Sequence, residues 1–262
     1  MKRSPNQTTA PPFSPQRAAG AFTLVELLMV IGIIALLTGL LTPALSRSRA
    51  AAQTIRCISN VRQMGVATRM YWDENGGRAF PEGITRTNGG QVYWFGWLQD
   101  GAEGTREFDV RAGRLWPYLQ GRGVETCPGL NRSNPQFKSK ARGAAYGYGY
   151  NLNLGPRDPE GMGRTPSVLI DRLANPSTVA VFADCAQVND FQAPASPERP
   201  MLEEFYFFET TYPTVHFRHG PQAAVVFVDG HVGRETAERG SEDRRLAGQV
   251  LGRLSRDLLI PQ

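Results

Sequence analysis

The sequence predicts an α+β chain: a long N-terminal α-helix, transmembrane in its first half and amphipathic in its second, packed on a C-terminal antiparallel β-sheet domain. Three observations predict it. Residues 22–41 form an apolar run whose one charge is Glu26. Residues 44–72 contain no proline and repeat apolar positions at helical spacing. From residue 73 onward the chain is rich in Gly, Pro and aromatic residues, with short strand-like runs between turn signals.

Residues 1–21 read as a basic, unstructured leader, with Lys2, Arg3 and Arg17, no acid, and Pro11, Pro12 and Pro15. The twenty apolar residues that follow would cross a hydrocarbon core of roughly 30 Å as a helix, so 22–42 is read as a transmembrane segment. A carboxylate inside such a segment costs about 2.5 to 3.5 kcal/mol. Glu26 is therefore a defect unless a cation meets it, and the obvious cation is a free α-amino group. Cleavage between Ala21 and Phe22 would create one, with Glu26 fifth in the mature chain. Two rival readings are an uncleaved signal anchor and an ordinary secretory signal. The signal needs an apolar core of about 7 to 15 residues, shorter than this run, and finds only a passable site at Ala44-Leu45-Ser46.

Residues 43–72 read as an amphipathic stem helix. Pro43 removes one backbone hydrogen bond and clashes with the preceding turn, so a kink is expected there, a helix stop being the alternative. Leu45, Ala52, Ile55, Ile58, Val61, Met64/Gly65, Thr68 and Tyr71 form the apolar stripe, and Arg47, Arg49, Arg56, Arg62 and Arg69 fill much of the remaining, solvated surface. Residues 1–72 hold eight Lys/Arg against Glu26, a net of +7 in a chain of +5, which leaves about −2 for residues 73–262. The basic character thus belongs to the leader and stem. It is not the surface that tracks phosphates, and nucleic acid is not an expected partner. Basic residues flank the span on both sides, so they do not orient it.

Asp73-Glu74-Asn75-Gly76-Gly77 ends the helix and opens one globular domain, 73–262, long enough for its own core. Strands are expected at 92–98, 145–152, 178–183, 204–209, 215–218 and 223–228. Asp229-Gly230 is expected to supply the positive φ angles of a tight hairpin that returns through His231-Val232. Ser241-Glu242-Asp243 looks like a capped start for a closing amphipathic helix through Leu246, Val250, Leu254 and Leu258. There is no internal repeat.

His216, His219, His231, Asp184 and Asp229 are the ligand-type side chains that strand ends could bring together around a divalent ion. The favoured reading is plainer: His219 hydrogen-bonds the Asp229 hairpin and locks its register. The chain has no Gly-x-Ser-x-Gly, phosphate loop or His-Glu-x-x-His, and Gly147-Tyr148-Gly149-Tyr150 is an aromatic strand with no phosphate cradle. No catalytic residue, resident metal or cofactor is therefore expected. Cys57, Cys127 and Cys185 allow one disulfide, Cys57 with Cys127 being the choice, or three buried thiols.

Phe22-Thr23-Leu24-Val25-Glu26 after a basic leader resembles the type IV pilin and type II secretion pseudopilin family. One departure is that Ala21 stands where the family usually has Gly, with Gly20 one residue early. Arg218-His219-Gly220 and Asp229-Gly230-His231, with nine residues between His219 and Asp229, resemble the C-terminal motif of a pilin-like family abundant in planctomycete- and verrucomicrobia-type bacteria. Arg56-Cys57, Asn60-Val61-Arg62-Gln63, Trp116-Pro117-Tyr118-Leu119, Cys127-Pro128, Tyr148-Gly149-Tyr150-Asn151 and Phe182-Ala183-Asp184 extend that likeness over most of the chain.

The resemblance implies a pilin-like fold and processing by a prepilin peptidase, which cleaves between Ala21 and Phe22 and methylates the new amine. It implies that Glu26 neutralises a neighbouring subunit's amine, and Pro43, twenty-second from Phe22, stands where many pilins kink. The expected role is a structural subunit of a type II secretion pseudopilus or a type IV pilus. Its partners would be other pilin or pseudopilin subunits, the inner membrane and the assembly machinery, with the globular domain in the periplasm or on the cell surface. Two alternatives are a minor or tip subunit that recognises cargo or polysaccharide through Trp72, Trp94, Trp97 and Trp116, and a membrane-anchored periplasmic hydrolase built on His219 and Asp229.

Overall fold

The computed structural model of the chain describes residues 23–81, 83–119, 121, 123–124, 126–142, 146–155 and 167–261. The expected leader, Phe22, and Ala145 of one expected strand lie outside them. The chain divides into two compact units, Met1–Arg47 and Ser48–Gln262. A single helix, α1 (Leu24–Glu74), contributes to both and continues as helix through Pro43, so the helix-stop alternative does not hold.

In the first unit the apolar residues of α1 lie bare. Leu24 is 74 % exposed, Leu36 66 % and Leu40 69 %. The hydroxyls of this stretch turn back on the helix, Thr38 Oγ1 donating to Ile34 O at 2.8 Å and Thr42 Oγ1 to Thr38 O at 2.7 Å. That leaves little polar surface to hydrate, as a lipid-exposed helix requires. By length and composition this stretch can cross a membrane.

In the second unit α1 is part of the core. Cys57, Val61, Met64, Ala67, Thr68 and Trp72 are buried on one helical face. The expected stripe is right from residue 58 onward and wrong before it, since Leu45, Ala52 and Ile55 are exposed. Gly65 has a specific purpose: a Cβ there would lie 2.6 Å from Val226 Cγ2, so a glycine lets helix and sheet approach closely. The helix ends where expected, with Gly76 and Gly77 at φ +64° and +70° and Gly77 N donating to Trp72 O at 2.8 Å.

The sheet domain opens with an antiparallel meander of β1 (Gly83–Thr87), β2 (Gly90–Tyr93), β3 (Trp97–Gln99) and β4 (Phe108–Asp109). The expected strand at 92–98 is thus two strands folded at Trp94-Phe95-Gly96, where a Cβ on Gly96 would lie 2.7 Å from Asp109 O. A short helix α2 (Trp116–Leu119) follows, then β5 (Phe137–Lys138), β6 (Tyr148–Asn151), β7 (Ala180–Asp184), β8 (Gln187–Asn189) and β9 (Met201–Glu203). The last strands are β10 (Phe207–Phe208), β11 (Val215–His216), β12 (Ala223–Phe227), β13 (Val232–Glu235) and β14 (Leu251–Gly252).

The central sheet has the order β10-β6-β7-β12-β13. It is mixed, not wholly antiparallel as expected, because β10 runs parallel to β6, as β5 does to β9. Residues of β12 and β7 are buried throughout. Alternation sorts the side chains: Ala224 and Val226 join the core that includes Val61, Met64 and Trp72, while Ala223, Val225 and Phe227 join a second cluster with Leu254 and Leu259. A sheet covered on both faces reads as a continuous apolar run, which explains 223–228.

That second layer corrects the expected closing helix. Residues 241–258 instead give β14 and a 3-10 turn, Arg256–Leu258, with Leu246, Leu251 and Leu254 buried and Val250 exposed. Gly248 at φ +75° breaks the helical path, and Asp243 N donates to Leu251 O rather than starting a helix. The Asp229-Gly230 hairpin is present, but Gly230 alone of the pair has positive φ, +88°, and Phe227 N reaches His231 O at 3.0 Å across a three-residue loop.

Candidate functional site

At the start of α1, Thr23 and Glu26 form a reciprocal cap. Thr23 N and Thr23 Oγ1 donate to Glu26 Oε2 at 2.9 and 2.7 Å, and Glu26 N donates to Thr23 Oγ1 at 3.2 Å. This is the Ser/Thr-x-x-Glu capping box, legible in Thr23-Leu24-Val25-Glu26. Glu26 thus already has a partner within its own chain, which insertion cost alone did not anticipate: its carboxylate stabilises the first turn and still has lone pairs for a cation. Ala21 and Phe22 lie outside the described residues.

The second site lies where α1 meets β7 and β12. Cys57 and Cys127 form the expected disulfide, with Cα atoms 5.4 Å apart. Against it sit Asp184, at the end of β7, and His219, just before β12. His219 Nε2 is 3.6 Å from Cys127 Sγ and 3.3 Å from Asp184 Oδ2, and Cys57 Sγ is 3.9 Å from Asp184 Oδ1. All four residues are buried, and their donor atoms lie within 4.8 Å of one another. Each also has an outer partner: His219 Nδ1 meets Thr54 Oγ1 at 3.3 Å, Asp184 Oδ2 accepts from Ala224 N at 2.8 Å, Tyr148 OH donates to Cys57 Sγ at 3.3 Å, and Gly129 N donates to Cys127 Sγ at 3.4 Å.

Arg218 supplies the balancing charge. Its Nη2 donates to Cys185 O at 2.6 Å and Gly147 O at 3.1 Å, and its Nε is 3.9 Å from Asp184 Oδ1. Burial pulls its pKa down while Asp184 opposes that. Burial raises the phenol of Tyr148, with Asp184 adding to the effect, so it stays a proton donor. Burial likewise pushes the Cys185 thiol well up, which leaves it unreactive.

This arrangement corrects the expected histidine chemistry. His219 does not lock the Asp229 hairpin; its ring serves the disulfide and Asp184. Asp229 accepts instead from His231, the Nδ1 to Oδ1 distance being 2.6 Å, at an exposed turn. His216 turns to Gln249, with Nε2 3.0 Å from Oε1, and burial holds its pKa well below the usual value. The five residues therefore split among three places. Cys57, Cys127 and Thr54 join the fold's His/Asp pair from segments that no local pattern connects.

Two further features escaped sequence reasoning. Lys138 and Lys140 are pinned between Glu103 and Glu203, Lys138 Nζ lying 3.0 Å from Glu203 Oε1 and Lys140 Nζ 3.1 Å from Oε2. Burial would raise Glu203, but bonding with Glu103, the charge of Lys140 and the amides of Gln187 and Asn189 hold it at about 2. Its neighbour Glu204 goes the other way, burial lifting it to about 7 against the hydrogen bond from Lys140 N. Beside this network a cavity of about 420 Å³ is lined by Phe191, Phe205, Tyr212, Asp190 and Arg245, among others. No family model, curated protein or solved structure matches the chain.

Proposed function

We propose that the chain is a structural subunit of a type II secretion pseudopilus or a type IV pilus, made as a membrane-inserted precursor and trimmed and methylated at Phe22 by a prepilin peptidase. The carrying observation is the bare apolar first half of α1, opening at Glu26, on a chain whose second unit already has a complete core. Such a helix needs a partner of its own. In the bilayer that partner is lipid; in a filament it is the same helix of other copies, which takes the place of lipid once the subunit is extracted. Glu26 then accepts a neighbour's terminal amine while Thr23 holds its carboxylate in place. The globular domain faces the periplasm or the cell surface, and the assembly machinery of the inner membrane is the partner.

Mass spectrometry of the mature protein, produced with a prepilin peptidase present, is expected to find methyl-Phe22 at the terminus. A chain that keeps Met1, or that begins after Ser46, would sink the reading. Glu26→Leu is expected to insert normally and to drop out of filaments; normal incorporation would refute the pairing.

A second reading, a minor or tip subunit that binds cargo, has one observation behind it. Of the four expected tryptophans, Trp72 and Trp94 are core residues at 2 % and 0 % exposure, while Trp97 and Trp116 are partly buried. Phe191 and Tyr212, 68 % and 63 % exposed beside the cavity, are better placed to stack on a ligand. Glycan-array binding that disappears in Phe191→Ala/Tyr212→Ala would favour it; an array with no binding would count against it.

A further inference from the structure

We propose that Cys57, Cys127, His219 and Asp184 bind one divalent zinc-type ion when the disulfide is reduced, so that the same four residues carry either of two cross-links. The geometry comes first. With metal–sulfur distances of about 2.3 Å and metal–nitrogen or metal–oxygen distances of about 2.0 to 2.2 Å, the edges of a tetrahedral site measure about 3.4 to 3.8 Å. Three of the observed separations are already close to that: 3.6 Å from Cys127 Sγ to His219 Nε2, 3.9 Å from Cys57 Sγ to Asp184 Oδ1 and 3.3 Å from His219 Nε2 to Asp184 Oδ2. The sulfur–sulfur edge must open, by side-chain rotation once the bond is broken, and Asp184, which meets Cys57 through Oδ1 and His219 through Oδ2, must turn one oxygen to the ion; the four donor atoms start within 4.8 Å of one another.

The outer contacts suit a metal as well. Thr54 Oγ1 lies 3.3 Å from His219 Nδ1 and 3.0 Å from Ala50 O, so with its own proton on Ala50 O it can accept from Nδ1–H. In that tautomer Nε2, which faces Asp184 Oδ2 and Cys127 Sγ, has its lone pair free for an ion that the carboxylate also binds. Tyr148 OH and Gly129 N point at the two sulfurs, where they would stabilise thiolates. The charges agree: two thiolates, the Asp184 carboxylate, the Arg218 guanidinium and a divalent ion sum to zero, as Asp184 and Arg218 do in the disulfide form. The site is buried and electrically balanced either way.

The chemistry balances with a dithiol reductant, which gives two electrons and two protons to the Cys57–Cys127 bond and leaves as its own disulfide. Metal binding then displaces the two thiol protons. Oxidation by a disulfide oxidant, itself reduced to a dithiol, would expel the ion and remake the bond.

Cobalt(II) titration of the full-length chain in detergent, reduced with a phosphine, tests this. One cobalt per chain is expected, with thiolate charge-transfer absorption, the strong visible bands of tetrahedral coordination, and release of protons to the medium. Zinc should displace it, and the oxidised chain should bind none. Thr54→Val, which leaves every ligand in place, is expected to weaken binding about 10- to 100-fold. His219→Gln should lose the tetrahedral spectrum, with tryptophan emission of its oxidised form confirming that it folds. Absence of stoichiometric cobalt in the reduced chain, an octahedral spectrum without thiolate bands, or equal affinity in His219→Gln would overturn the proposal.

Discussion

The two ends of α1 share one regular backbone and have opposite surroundings. Around Leu36 every apolar side chain is exposed; around Met64 the helix is core, tied by a disulfide and fitted to Val226 at Gly65. Helical periodicity thus reports a helix, while burial depends on what the rest of the chain brings to it. The second unit can supply its own hydrophobic stabilisation. The first leaves its apolar side chains bare.

Truncating one residue at each end of α1 should have very unequal effects. Met64→Ala is expected to cost about 4 kcal/mol in denaturant unfolding followed by tryptophan fluorescence in detergent. Leu36→Ala should stay within about 0.5 kcal/mol in the same measurement. Equal losses would mean that the first half of α1 is stabilised by contacts within the chain.

The stability of the second unit should also depend on pH. Glu204 has its pKa raised to about 7 by burial, against an ordinary value of 4.5. A raised carboxylate contributes stability that is fully present below about 4.5 and is lost as pH rises through about 7, here up to about 3 kcal/mol. Unfolding of the second unit should therefore become easier with rising pH across that window, and Glu204→Gln should flatten the slope. A wild-type profile already flat there would show that Glu204 is ionised when folded.

The smallest effect belongs to the cap. Thr23→Ala removes the hydroxyl from the reciprocal box and should cost the first turn about 1 kcal/mol, read as faster hydrogen exchange near Glu26, with the unfolding midpoint of the second unit unchanged. Unaltered exchange would mean that Glu26 is held by something other than Thr23.

Much of the fold was legible. The apolar run, the Asn75-Gly76-Gly77 stop, the β6, β7 and β12 segments and the hairpin at Gly230 can all be read in the residues, whereas the three cysteines leave the Cys57–Cys127 bond as one choice against three buried thiols. The closing segment could not, because Leu246 and Leu254 fit a helical pattern and also fit chain laid flat over a second sheet face. The candidate site was half legible. His219 and Asp184 stand out among the ligand-type residues, but the motif spacing points His219 to Asp229, whereas the fold gives it Asp184.

Composition and spacing were enough to specify α1, its membrane-grade stretch and the capping signal at Thr23 and Glu26, since these depend on neighbours three or four residues apart. Folding had to choose which face of the stem is buried, the parallel pairing of β10 with β6, and the meeting of Cys57, Cys127, Asp184 and His219. Those contacts join residues up to 165 positions apart, as Thr54 and His219 are. They form when two sheet faces and one helix are packed together, and a local pattern carries no record of that.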